Sequence, residues 1–103
     1  MGYFSETFME GRRKQWLRAI AKVEAQVDGV WHAGDINFKQ IEGDTIVIKV
    51  TFPMLDSKDC RITATRIVDM RGEVAAYQQR LIHKASGQGT MVKITIPIYE
   101  VTA

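Results

Sequence analysis

The residues that most often carry out chemistry in proteins are few and scattered in this sequence. His32 and His83 are the two histidines, and Cys60 is the single cysteine. A zinc site usually draws on pairs of cysteines or histidines a few residues apart, and the sequence contains no such pair. Cys60 alternates with Ile62 and Ala64 as residues of a buried strand do, which favours a core role over a nucleophilic one. The sequence therefore predicts no metal site, no cofactor and no catalytic residue.

Two other patterns that can indicate an active site lack their structural context. Gly87-Gln88-Gly89 has glycines spaced as in some phosphate-binding loops, but the segment after it alternates like a strand. Such loops bind phosphate at a helix N-terminus, so these glycines predict a hairpin turn instead. The serines lack the G-x-S-x-G nucleophile elbow, and no pair of carboxylates can be assigned acid and base roles. We therefore expect a protein that is not an enzyme.

A basic segment near the N-terminus is the best candidate for a binding surface. Lys14, Arg18 and Lys22 recur every four residues, so a helix would place them on one side. Such a row can contact an acidic protein surface or phosphates, and we favour a partner protein over nucleic acid. Arg13 is expected to snorkel or to pair with an acidic group of the partner. The predicted partner- or nucleic-acid-binding residues are Arg12, Arg13, Lys14, Arg18 and Lys22.

One long amphipathic helix is predicted to position these residues. Thr7 and Glu10 have the spacing of a capping box, and Asp28-Gly29 has the composition of a helix end. The predicted helix therefore runs from Thr7 to Asp28, with one apolar stripe for the core. That stripe comprises Met9, Trp16, Ile20, Val23 and Val27.

After residue 30 the apolar period changes to two, which is typical of strands. We expect strands at Val30–His32, Ile36–Ile41, Ile46–Phe52, Cys60–Asp69 and from Val92 to Ile98, with a turn at Glu42-Gly43-Asp44. The segment 73–84 contains good helix formers, but its length matches the preceding strand across a turn, so we favour a strand. Short connections require antiparallel pairing. Pro97 favours an edge position, which makes Tyr99 and Val101 candidates for contact with another chain at a sheet edge.

Composition places the chain among ordinary globular proteins. Its 103 residues form one expected domain, residues 1–103, with 46% hydrophobic and 25% charged residues. Its apolar runs are far shorter than the ~20 residues that span a membrane. The first ten residues do not resemble a secretory signal, and a single cysteine suits a reducing compartment, so we expect a cytoplasmic location. The net charge of +2 gives no one-signed tail of the kind that binds nucleic acid.

The sequence thus predicts an α+β fold, an N-terminal amphipathic helix packed across a curved antiparallel meander of about five strands. Our first functional hypothesis is a non-enzymatic protein-interaction module. It would be an assembly subunit, for instance of a phage-like particle, or a small protein inhibitor, and we expect a homo-oligomer. The first alternative is a nucleic-acid-binding protein that uses the basic helix face. The second is a small ligand-binding protein or enzyme with a pocket between helix and sheet, lined by Trp16, His32 and Tyr77.

Overall fold

The computed structural model describes residues 3–99, which form one N-terminal helix and seven antiparallel strands. The predicted α+β class is confirmed, although the strand count of about five was too low. The elements are α1 (Glu6–Ala19), β1 (Ile20–Val27), β2 (Val30–Ala33), β3 (Asp35–Glu42), β4 (Thr45–Thr51), a 3-10 turn (Pro53–Leu55), β5 (Cys60–Asp69), β6 (Val74–Lys84) and β7 (Met91–Pro97). The segment 73–84 is a strand over almost its whole length, as expected.

The predicted helix was too long, because α1 ends at Ala19 and the chain continues directly into β1. Val23, Ala25 and Val27 belong to the core cluster and alternate with polar residues, which is the period of a strand. The gaps of three and four from Ile20 to Val27 fit a helix equally well, so periodicity alone could not decide. The N-cap was also placed two residues late, since the Ser5 hydroxyl accepts the Phe8 amide at 3.2 Å.

The strands form two sheets rather than one meander. Sheet A has the order β2-β1-β5-β6, and sheet B has the order β3-β4-β7. All recorded pairs are antiparallel, including Val23 opposite Ile67 in sheet A and Ile48 opposite Ile94 in sheet B. Pro97 lies on β7 at an edge of sheet B, as its missing amide requires.

The hydrophobic core lies between the two sheets. Strands β1 and β5 supply one side of it, and β4 and β7 supply the other. Its most buried members include Val23, Ala25, Ile46, Ile48, Val50, Phe52, Leu55, Ile62 and Val92. The helix contributes little, because Arg13 is its one buried residue and Leu17 is only partly buried. The sheets therefore cover each other, and most of the surface of α1 remains exposed.

The connection between β2 and β3 depends on a close approach that only glycine permits. Gly34 donates its amide to the Val23 carbonyl at 2.9 Å. A Cβ at this position would lie 2.5 Å from Val50 Cγ1, 2.7 Å from the Phe52 ring and 2.8 Å from the Thr51 carbonyl oxygen. The segment that links the two sheets is therefore pressed against the core.

We expect Gly34→Ala to lower the free energy of unfolding by about 1–3 kcal/mol, because the added methyl group overpacks this contact. Urea denaturation measures the loss. Gly11→Ala is the control, since a Cβ there meets nothing within 4 Å on exposed α1 and alanine favours a helix by about 1 kcal/mol. Equal stability of the two variants would contradict the packing described.

Candidate interaction surface

Among residues 3–99, the histidines, cysteine and carboxylates form no group that could hold a metal ion. His32 and His83 lie on β2 and β6, the two opposite edge strands of sheet A. His83 Nε2 lies 3.0 Å from Asp59 Oδ1, and both side chains are exposed. Cys60 lies half-buried against the core cluster, as its strand pattern predicted. These residues are therefore distributed over the sheet rather than gathered at one site.

Three of the five predicted binding residues lie on the exposed part of α1. Arg12, Lys14 and Arg18 are all exposed, and they line one shallow depression together with Phe8 and Gln15. Lys14 Nζ lies 3.6 Å from Glu10 Oε1, so this cation is partly neutralised. The helix thus presents a moderately basic surface to solvent.

The other two predicted binding residues, Arg13 and Lys22, do not lie on this exposed surface of the helix. Arg13 is buried, with Nε donating to the Ile98 carbonyl at 2.8 Å and Nη1 donating to Glu6 Oε1 at 2.7 Å. It pairs within its own helix and fastens α1 to the chain after β7. Lys22 lies on β1, where its Nζ is 3.8 Å from Glu24 Oε2, so it does not continue the helical row of Lys14 and Arg18.

The side of α1 that faces the sheets includes Met9, as predicted, but Leu17 takes the place that was predicted for Trp16. Met9 and Leu17 are half-buried beside buried Arg13, and these three recur every four residues. The neighbouring row of Phe8, Arg12 and Trp16 therefore faces solvent. Trp16, which was predicted to lie in the core, is 53% exposed, and Phe8 is 42% exposed.

We call the row Phe8, Arg12 and Trp16 the α1 stripe. The Arg12 guanidinium carbon lies 5.0 Å from the centre of the Phe8 ring, and Arg12 Nη1 donates to Gln15 Oε1 at 3.2 Å. Arg12 is thus held beside the exposed Phe8 ring, one helical turn before Trp16. The four-residue spacing of this row is visible in the sequence. The predicted apolar stripe of the longer helix, which ran as far as Val27, nevertheless assigned Trp16 to the core.

A slot opens beside the base of α1, between sheet A and β7. It has a volume of about 320 Å³, and Trp16 and Ala19 line its helical end. We call this cavity the slot, and Ile67, Ala75, Ala76 and Ile96 line the part of it away from the helix. It exists because sheet A has one strand more than sheet B, so that residues 74–79 of β6 are exposed. The slot and the α1 stripe meet at Trp16 and form one exposed surface, which is mainly apolar but includes Arg12 and Asp69.

The predicted pocket between helix and sheet is therefore only partly present. Trp16 lines the slot, and Tyr77 lines an adjoining depression that shares Ile67 and Ala76 with it. His32 lies on the opposite edge strand of the same sheet. The three predicted side chains do not converge.

An acidic turn borders the slot. Asp69 lines it, and Asp69 Oδ1 accepts the amides of Glu73 at 3.0 Å and Arg71 at 2.9 Å. The Glu73 amide is the main reason that the pKa of Asp69 lies below its ordinary value; the Arg71 amide and charge add to this, while desolvation opposes it. Arg71 Nη2 lies 3.8 Å from Asp69 and 3.4 Å from Glu73. Two carboxylates and one guanidinium leave this turn with an excess negative charge.

The outer face of sheet A carries a separate polar and aromatic cluster. The Arg66 guanidinium carbon lies 4.0 Å from the centre of a Trp31 ring, and Arg66 Nε donates to Glu24 Oε1 at 2.7 Å. Tyr77 meets Trp31 edge to face at 6.2 Å. Because Arg66 is already paired with Glu24, this cluster is satisfied within the chain.

The predicted edge contact is only partly described. Tyr99 follows β7 and is 56% exposed, whereas Val101 lies outside residues 3–99. Within that range, α1 is not a helix of the length and apolarity needed to cross a membrane.

Comparison of the chain with protein-family models, with curated proteins and with solved structures found no match.

We expect Arg13→Met to lower the free energy of unfolding by about 1–3 kcal/mol, because it leaves the Ile98 carbonyl without its donor and Glu6 without its cation. Helical circular dichroism should weaken together with stability. The control is Arg12→Met on the exposed side, which should change stability by less than about 0.5 kcal/mol. An equal effect of both variants would contradict the anchoring role of Arg13.

Asp69 should contribute to stability in a pH-dependent way. Its pKa is lowered from 3.8 in the folded protein, so its contribution is complete above that pH and is lost as the pH falls through the folded-state value. Asp69→Asn should therefore destabilise the protein at neutral pH, and the difference from the original chain should shrink in acid. Urea denaturation midpoints of the variant and the original chain, measured from about pH 6 to about pH 2, test this prediction. Glu10→Gln is the exposed control. A difference that does not vary with pH would refute this assignment.

Proposed function

We propose that this protein is a non-enzymatic interaction module that acts as a subunit of a protein assembly. The observation that supports it is the exposed, mainly apolar surface formed by the α1 stripe and the slot. Tryptophan and arginine are the residues most enriched at the energetic centres of protein interfaces, and the stripe contains both. Contiguous exposed apolar surface of this kind typically marks a site of association.

The weak attachment of α1 supports the same proposal. A helix of 14 residues is marginal in water by itself and depends on packing of its apolar side. Here one residue of the helix is buried, while Phe8 and Trp16 remain about half exposed. A partner on the stripe would remove both rings from water, at roughly 25 cal/mol for each Å² of apolar surface covered.

Two roles considered from the sequence, an assembly subunit such as that of a phage-like particle and a small inhibitor, both need such a surface. We favour the assembly subunit, because the exposed side of α1 and an open slot lie side by side on one chain. The exposed cations Lys14 and Arg18 lie beside the stripe, which itself contains Arg12, and these three charges would steer an acidic surface towards it. A homo-oligomer is the assembly that we propose first.

Nucleic-acid binding is the second candidate, carried by the same three exposed cations. Two of the five predicted basic residues do not contribute to that surface, since Arg13 is buried and Lys22 is paired on β1. Trp16 adjoins the slot rather than the centre of the basic surface.

The solution mass of the full chain tests the proposal. Light scattering on a sizing column, with absorbance at about 260 and 280 nm and at low and high salt, should show a multimer with a protein-like spectrum at both salt concentrations. A monomer that captures no partner protein would contradict the assembly role. Nucleic acid that co-elutes at low salt would promote the second candidate, provided that high salt removes it.

A matched pair of triple variants separates the two candidates further. Replacement of Arg12, Lys14 and Arg18 by alanine should abolish co-elution of nucleic acid if the basic surface binds it. The control replaces Lys58, Arg61 and Lys93, which are exposed on the body of the protein, and removes the same net charge.

A further inference from the structure

We infer that the partner of the α1 stripe is a second copy of this chain, and that the two copies form a two-fold dimer in which the stripe of each lies on the slot of the other. The inference rests on the proposed assembly function and names its first contact. Three features of the surface support it: the shapes of the two halves, their charges and their arrangement about Trp16.

The stripe and the slot are complementary in shape. Phe8 is a large exposed ring on a projecting helix, whereas the slot has the small side chains Ala75 and Ala76 on its β6 side. Ile67 and Ile96 also line the slot, which has a volume of about 320 Å³. A far smaller apolar cavity, of about 150 Å³, is enough to bind benzene in an engineered protein. The slot is therefore large enough to receive the Phe8 ring of another copy.

The charges on the two halves are also complementary. Arg12 is held beside Phe8 in the stripe, one helical turn nearer to Trp16. Asp69 and Glu73 lie in the turn that borders the slot beside the end of α1, where Met70 donates its amide to the Ala19 carbonyl at 2.9 Å, and this turn has one more negative charge than Arg71 neutralises. When Phe8 of one copy enters the slot of the other, Arg12 comes to the acidic turn. An aromatic anchor flanked by a cation thus meets an apolar slot flanked by a carboxylate.

The position of Trp16 makes the surface self-complementary. Trp16 belongs to the stripe and also lines the slot, so it stands at the boundary between the two halves. A two-fold axis near Trp16 exchanges the halves and forms both contacts at once, which gives a closed dimer rather than a filament. Phe8 lies about 12 Å along the helix from Trp16, at 1.5 Å per residue, and so reaches past the boundary into the other copy.

Direct packing of one stripe on the other is disfavoured. Because Arg12 lies midway between Phe8 and Trp16, an antiparallel pair of helices in register would bring Arg12 of one copy against Arg12 of the other. Like charges in contact oppose such an arrangement. The slot, with its acidic border, is the better receiver for the stripe.

Dimer dissociation measured for single variants tests the contact. Phe8→Glu should weaken the dimer about tenfold or more, as the loss of a central aromatic anchor does at other interfaces. Ala76→Arg should do the same from the side of the slot, and both positions are exposed, so folding should be retained. The control is Leu81→Glu, an exposed apolar residue on β6 outside the slot lining, which should leave dissociation unchanged. A dimer that withstands Phe8→Glu and Ala76→Arg overturns the inference.

A charge exchange tests the proposed pairing of Arg12 with the acidic turn. Arg12→Glu and Glu73→Arg should each weaken the dimer, because each places like charges together across the interface. The double variant should restore it, since the pair is then present with opposite polarity. If the losses of dimer affinity from the two single variants add in the double variant, the pairing of Arg12 with the acidic turn is refuted.

Disulfide cross-linking tests the geometry directly. Cys60 is first replaced by alanine, and Phe8→Cys and Ala76→Cys chains are then made separately in that background. Oxidation of a mixture of the two should produce a covalent dimer, whereas each chain alone should give none. A mixture of Phe8→Cys with Leu81→Cys is the control.

These results separate the inference from the proposed function. A multimer that survives the slot and stripe variants and does not cross-link refutes the two-fold contact and retains the assembly role. A monomer that binds another protein through α1 likewise refutes the two-fold contact and retains the assembly role. A monomer that binds no protein refutes both the two-fold contact and the proposed function.

Discussion

The structure depends above all on how the chain leaves α1 at Ile20. The carbonyl of Ala19 accepts the Met70 amide at 2.9 Å, and the carbonyl of Ile20 accepts Lys39 Nζ at 3.0 Å. Two carbonyl oxygens at the junction of α1 and β1 are therefore bonded to other segments of the chain, in place of the partners that a further helical turn would supply. Ile20 itself is buried in the core cluster. The helix consequently stops where the sheet begins, and it packs on the sheets with one side only.

This junction also determines which surfaces are left uncovered. Because residues 20–27 form a strand, β1 joins sheet A and gives it four strands against the three of sheet B. The extra strand, β6, has no strand of sheet B over its first half, so the core residue Ile67 and the partly buried Ile96 line an open slot. The short helix, the unequal sheets and the slot thus have a common cause.

Buried polar groups hold this arrangement in place. Lys84 is almost fully buried, and its Nζ donates to the carbonyls of Asp56, Lys58 and Ala85 at 2.8–3.1 Å. Arg13 is buried with two partners of its own at the other end of the chain. Within residues 3–99, every buried side-chain nitrogen or oxygen atom has a hydrogen-bond partner. The exposed apolar surface beside α1 thus belongs to a protein whose buried polar side chains are hydrogen-bonded within the described residues.

The sequence by itself determined the fold class and most of the strands. Alternation from Ile46 to Phe52 and from Cys60 to Asp69, together with glycine at the turns, specified antiparallel pairing with short connections, because these signals are local. It also placed Arg12, Lys14 and Arg18 on one helix. Only the tertiary structure decided that residues 20–27 are a strand, since their spacing fits both periods and the choice depends on pairing with β2 and β5. It alone turned Arg13 inward and Trp16 outward, because the side of a helix that is buried depends on what lies beside it. The candidate interaction surface follows from that choice, and no local pattern in the sequence contains it.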